Sequence, residues 1–157
     1  MSDAGYMDGE PGPLAIRAED EGDLRILSAL VQDAVLPGTE IAHDTTARHL
    51  ALLINRFRWE DAAAAERENR PYERVRALLV IRDVLRVLSD GVARDADTVL
   101  ELLAIGWEPG SDGAGRILLE FAGDGTIAVD VEAVNCDLRD VTRPYIANSG
   151  QRPSHPD

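Results

Sequence analysis

The chain has 157 residues, 16 of them basic and 29 acidic, for a formal charge of −13; all the basic residues are arginine and there is no lysine. The missing primary amine excludes Schiff-base chemistry, lysine-bound pyridoxal phosphate and a phosphate-loop lysine, since arginine cannot replace an amine in any of them. The acidity argues against nucleic-acid and anionic-membrane partners, and with one cysteine and no basic-then-apolar start after Met1, the expectation is a cytoplasmic protein.

Residues 1–13 and 148–157 offer little to bury and read as disordered tails around a single domain over 14–147. Leu14-Ala15-Ile16 is a short strand candidate. Asp20 is placed to cap a helix whose first turn is acidic, and Leu24, Leu27, Leu30, Val31, Ala34 and Val35 fall on one arc of it until Pro37-Gly38. Residues 40–44 and 49–59 flank a polar loop and predict a hairpin. The alanine-rich stretch over 60–72 predicts a connector with a helical turn near 62–67. Val75, Ala77, Leu79 and Ile81 alternate as a strand, whereas 84–92 fits strand or helix. Residues 99–107 predict a long apolar strand. Ile117, Leu119 and Phe121, then Asp124-Gly125, then Ile127, Val129 and Val131 predict the clearest hairpin. A short helix is expected over 135–147, bent near Pro144. The expected class is therefore α+β: a strand and amphipathic helix, a mostly antiparallel meander of six to seven strands, and a short C-terminal helix. The sheet can be open and curved, or closed as a pleckstrin-homology-like barrel.

Chemistry-bearing residues are few. His43 and His49 would be diagonal neighbours on the first hairpin with Asp44 opposite His49, a set that could hold zinc or ferrous iron, or simply occupy a wet hairpin end. Cys136 at a helix start would have a lowered pKa, although no histidine lies near it in sequence to act as a base. Asp130 and Glu132 share a strand face, as an acid–base pair or a solvated sheet face would. Residues 48–94 hold ten arginines against seven acids, so positive charge is concentrated in mid-chain. Strand alternation puts Arg56 and Arg58 on the face of Leu52 and Ile54, with Asn55, Phe57 and Trp59 on the other. Arg74, Arg76 and Arg82 form a second row, and pairing of the two strands would line one surface with guanidinium groups suited to carboxylate or phosphate. Cross-strand pairing with acids such as Glu73 and Glu132 is the structural alternative.

Several stretches carry a family resemblance: Ile54-Asn55-Arg56-Phe57-Arg58-Trp59-Glu60, Ser28-Ala29-Leu30-Val31-Gln32-Asp33-Ala34, Leu102-Leu103-Ala104-Ile105-Gly106-Trp107-Glu108-Pro109 and Phe121-Ala122-Gly123-Asp124-Gly125. Together they resemble the DUF2948 group of small alphaproteobacterial proteins, over about residues 14–145. The resemblance implies no assigned activity, but directs attention to Asn55, Arg56, Trp59, Glu60, Gln32 and Asp33. The resulting expectation is a non-enzymatic interaction module without cofactor, using Arg56, Arg58, Trp59 and their neighbours to bind a protein or a small anionic ligand. The alternative is a metal-dependent hydrolase built on His43, His49 and nearby carboxylates.

Overall fold

A computed structural model describes residues 12–147 and 152–153. The expected tails fall mainly on residues 1–11, 148–151 and 154–157, which lie outside the described residues.

The class is α+β, with two helices and eleven strands among the described residues. In chain order these are β1 (Ala15–Ala18), α1 (Glu21–Val31), β2 (Ala34–Pro37), β3 (Ile41–Asp44), β4 (His49–Phe57), α2 (Trp59–Arg67), β5 (Glu73–Ile81), β6 (Val84–Asp90), β7 (Val99–Pro109), β8 (Gly115–Phe121), β9 (Thr126–Val131), β10 (Cys136–Asp140) and β11 (Tyr145–Ile146). All pair antiparallel in one sheet of order β1-β10-β5-β4-β2-β7-β8-β9-β6, with β3 added to β4 and β11 to β5. The sheet is open: β1 and β6 are its edges, so of the two expected arrangements the curved open sheet is the one found.

The core follows from alternation. Leu50, Leu52 and Ile54 of β4 face the same side as Ala77, Leu79 and Ile81 of β5, and all six are buried. Ile117, Leu119, Ile127 and Val129 continue this layer on β8 and β9, and Leu24, Leu27 and Val31 of α1 pack onto it. Each Leu, Ile or Val among them contributes about 1.5–3 kcal/mol by leaving water. Asp20 caps α1 by accepting from the Asp23 amide at 2.7 Å, and Ser28 Oγ accepts from the Ile105 amide at 2.9 Å, tying the helix to β7.

Although β5 and β6 hold the third and ninth places in the sheet order, only Arg82 and Asp83 separate them in sequence. One nearly continuous strand therefore serves both halves, turning at Asp83 in a left-handed conformation (φ 56°). Three backbone hydrogen bonds hold the corner: Arg82 N–H to Asn135 O, Val84 N–H to Arg48 O and Glu132 N–H to Asp83 O, at 2.8–3.0 Å.

Several expectations need correction. α1 ends at Val31, because Asp33 takes φ 66° and residues 34–37 leave the helix to fill the place between β4 and β7. Gly38 is needed just beyond: a Cβ there would lie 2.1 Å from the Ala93 carbonyl oxygen. The ambiguous segment after Asp83 is strand β6. No helix forms over 135–147; β10 inserts between β1 and β5, with Cys136 and Leu138 turned to the core. Trp59 leaves the strand and opens α2, a full helix where only a helical turn was expected. No helix among the described residues is long and apolar enough to cross a membrane.

Candidate binding surface at the Trp59 corner

β4 carries its alternation through to the end, so Arg56 sits on the core face opposite Val75, while Asn55 and Phe57 lie on the other face opposite Arg76 and Arg74. The expected single row of guanidinium groups is therefore split between the two sides of the sheet. Arg56 is completely buried. Its Nη1 and Nη2 donate to Glu60 at 2.9 and 2.7 Å, and Nε and Nη2 donate to Asp140, both at 3.1 Å. Burial pushes the Glu60 carboxyl up, but the hydrogen bonds and charge of Arg56, with Arg58 beyond, outweigh it and leave the pKa below its ordinary value. Burial likewise opposes the charge on Arg56, and the two carboxylates overcome it, leaving its pKa raised.

Arg58 is also buried. It pairs with Glu73, and lies 3.7 Å from Asp61 and 3.8 Å from Glu60. Asp61 in turn accepts a forked pair from Arg70, both contacts at 3.2 Å. The start of α2 is thus fastened by an ion-pair chain of three arginines and four acids. Arg56 and Arg58 are positioning groups here, not a cationic surface.

The remaining flagged residues converge on the opposite face. The Trp59 indole donates from Nε1 to the carbonyl of Gln32, the C-cap of α1, at 2.9 Å. The ring stands edge-on to buried Phe57, with centroids 4.6 Å apart, and Tyr72 tilts against the same Phe57 at 5.5 Å. Beside it, Arg74 donates to Asn55 Oδ1 at 2.8 Å and to the Asp33 carbonyl at 3.2 Å, while Asn55 bonds the Tyr145 hydroxyl. Partial burial lowers the Arg74 pKa, with Tyr145, Asp33 and Glu101 pulling the other way. Asp33, Asn55, Arg74, Tyr145 and Pro153 help to line a pocket of about 430 Å³. Arg152 lies over the Trp59 ring, 5.4 Å from its centroid.

This folded text also has a family match: the model described as "Protein of unknown function (DUF2948)" covers residues 14–155. The chain belongs to the DUF2948 family. No curated protein and no solved structure matches it.

The DUF2948 match runs past β11 to include Arg152 and Pro153, which sequence reasoning assigned to a tail. Nothing in the composition there hints at a docked residue, and neither Glu66 nor Tyr145 carries a motif. The other candidate chemistries of this family member separate in space. Asp44 does pair with His49, but His43 pairs with Leu50, so the two imidazoles project from opposite faces of the hairpin. Asp44 instead accepts from the Ala47 amide at 2.9 Å and caps the turn. No group of three or more His, Cys, Asp or Glu side chains is placed to hold a metal among the described residues. Cys136 lies buried within a strand rather than at a helix start, and burial pushes its thiol up to about 12, away from nucleophilic use. Asp130 accepts from Arg116 and Arg86 across neighbouring strands, and Glu132, just past the end of β9, pairs with Arg48 of the first hairpin's turn, so these acids serve ion pairs.

Proposed function

We propose that this DUF2948 chain is a non-enzymatic interaction module that docks a segment of a partner protein against the Trp59 corner. The observation that carries this reading is the state of the indole: half-buried, locked in orientation through Gln32 and Phe57, and next to a pocket edged by Asp33, Asn55 and Arg74. A rigid, partly exposed tryptophan beside a small polar pocket is the usual build of an interface anchor, because it offers large contact area at little entropy cost. Glu60, Arg56 and Arg58 support this from behind by fixing the start of α2. A buried free thiol fits a reducing, cytoplasmic setting.

The test is capture from native lysate by the full chain and by its Trp59→Ala and Gln32→Ala variants. Partners held by the native chain should be lost with Trp59→Ala and weakened with Gln32→Ala, while both variants unfold cooperatively. Retention of every partner by Trp59→Ala would count against the docking reading.

A second reading, small-ligand binding, rests on a different place. A cavity of about 690 Å³ is lined by Arg58, Glu73, Asp140, Val141 and Arg143, among others, and Arg58 has a buried Nε without a hydrogen-bond acceptor among the described residues. Two arginines, Arg58 and Arg143, face two carboxylates, Glu73 and Asp140, on its wall, so the lining charges balance and suit a neutral polar ligand.

A further inference from the structure

We propose that the notch between Trp59 and Glu66 is a binding site for an arginine side chain followed by proline, filled in the isolated chain by Arg152 and Pro153. A partner's arginine would take it by displacing them. This rests on the docking reading above and gives the partner segment its chemistry.

The notch is built without help from its occupant. Phe57 and the Gln32 carbonyl set the plane of the indole. Tyr72 donates its hydroxyl to Glu66 Oε2 at 2.6 Å and so aims the carboxylate. Arg152 completes the arrangement: its Cζ lies 5.4 Å from the indole centroid and its Nη1 lies 3.1 Å from the same Glu66 oxygen. One flat guanidinium thereby uses an aromatic face and a carboxylate together, a combination that suits arginine better than the more compact, more strongly hydrated ammonium of lysine. The next residue, Pro153, is half-buried and lines the pocket beside Asn55 and Arg74. Arginine and proline thus lie side by side, the arginine over the indole and the proline in the pocket.

The contact is weak enough to exchange. The Arg152 and Glu66 side chains are 48% and 47% exposed, so solvent screens their attraction. A solvated ion pair and one cation–π contact favour the closed arrangement by about fivefold. The net charge of −13 meanwhile draws basic segments toward the chain.

The probe is a fluorescent peptide, Ser-Gly-Gln-Arg-Pro-Ser-His-Pro, which copies residues 149–156. Full-length Arg152→Ala protein should bind it about fivefold more tightly than the unaltered chain. Replacing the peptide's arginine by citrulline, or adding Glu66→Gln to the protein, should weaken binding about threefold to fivefold. Equal affinity of the Arg152→Ala and unaltered chains, no binding to the Arg152→Ala chain, or equal binding of the citrulline peptide would each overturn the proposal. Tryptophan emission reads the internal contact directly. Arg152→Ala should shift the spectrum and the shift should vanish in a Trp59→Phe background; no shift would also overturn it. Loss of lysate partners in Trp59→Ala without peptide binding defeats this inference alone. Arginine-dependent peptide binding with every lysate partner kept by Trp59→Ala defeats the docking reading alone.

Discussion

Arg56 brings five N–H donors into a site closed to water, and each finds an oxygen: two on Glu60, two on Asp140 and the Phe57 carbonyl at 3.4 Å. Removing Arg56 from such a set costs far more than the set gains over an apolar substitute, because the Asp140 carboxylate is left buried and unmatched. Arg56→Ala should therefore destabilise the fold by about 3–5 kcal/mol in urea unfolding. Arg86→Ala, which removes an exposed partner of Asp130, should cost about 0–1 kcal/mol. The same cluster sets an acid limit. Glu60 has a folded pKa below its ordinary 4.5, so its contribution is present above that value and is lost as pH falls through the folded one. The urea midpoint should stay flat from pH 7 to about 5 and drop below pH 4.5, with the drop reduced in Glu60→Gln. The inward turn of Arg56 was legible in its alternation with Leu50, Leu52 and Ile54. Its charge argued for the surface, and Glu60 together with Asp140, 84 residues away in sequence, makes burial tolerable.

Elements with one strong periodicity were readable from sequence, and those that depend on distant partners were not. α1 combined an acidic first turn, a cap and an apolar arc; Asp20→Ala should lower stability by about 1 kcal/mol, measurable as a shifted thermal midpoint. The β8–β9 hairpin showed alternation on both arms, although its left-handed turn residues are Gly123 and Asp124 rather than Gly125. β10 offered only Cys136 and Leu138 on its buried face, too few to outweigh the helical spacing of Leu138 and Val141; it is a strand because β1 and β5 flank it. At α2, alanine-rich text allowed a helix, but what fixes its start is the Arg56–Glu60 pair, which appears only when the strand before it is folded. The corner pocket follows the same rule: Asn55 and Asp33 were flagged singly, and Arg74 joins them only through the β4–β5 register.

Over the whole molecule, the arginine-rich middle of the chain does not become a cationic face. Arg56, Arg58 and Arg70 are matched by Glu60, Asp61, Glu73 and Asp140, and Arg86 and Arg116 share Asp130. Charge counted along the sequence was a poor guide to charge on the surface because the acids that neutralise these arginines come from α2 and from several strands. The bend at Arg82–Asp83 carries a different consequence. Since a single run of backbone belongs to both halves of the sheet, neither half can open alone without breaking the bonds that Arg48, Asn135 and Glu132 make at the corner. Amide hydrogen exchange should then show Leu52, Leu79, Leu119 and Val129 sharing one opening free energy equal to that of global unfolding, whereas two distinct values would mean that the halves are separate cooperative units.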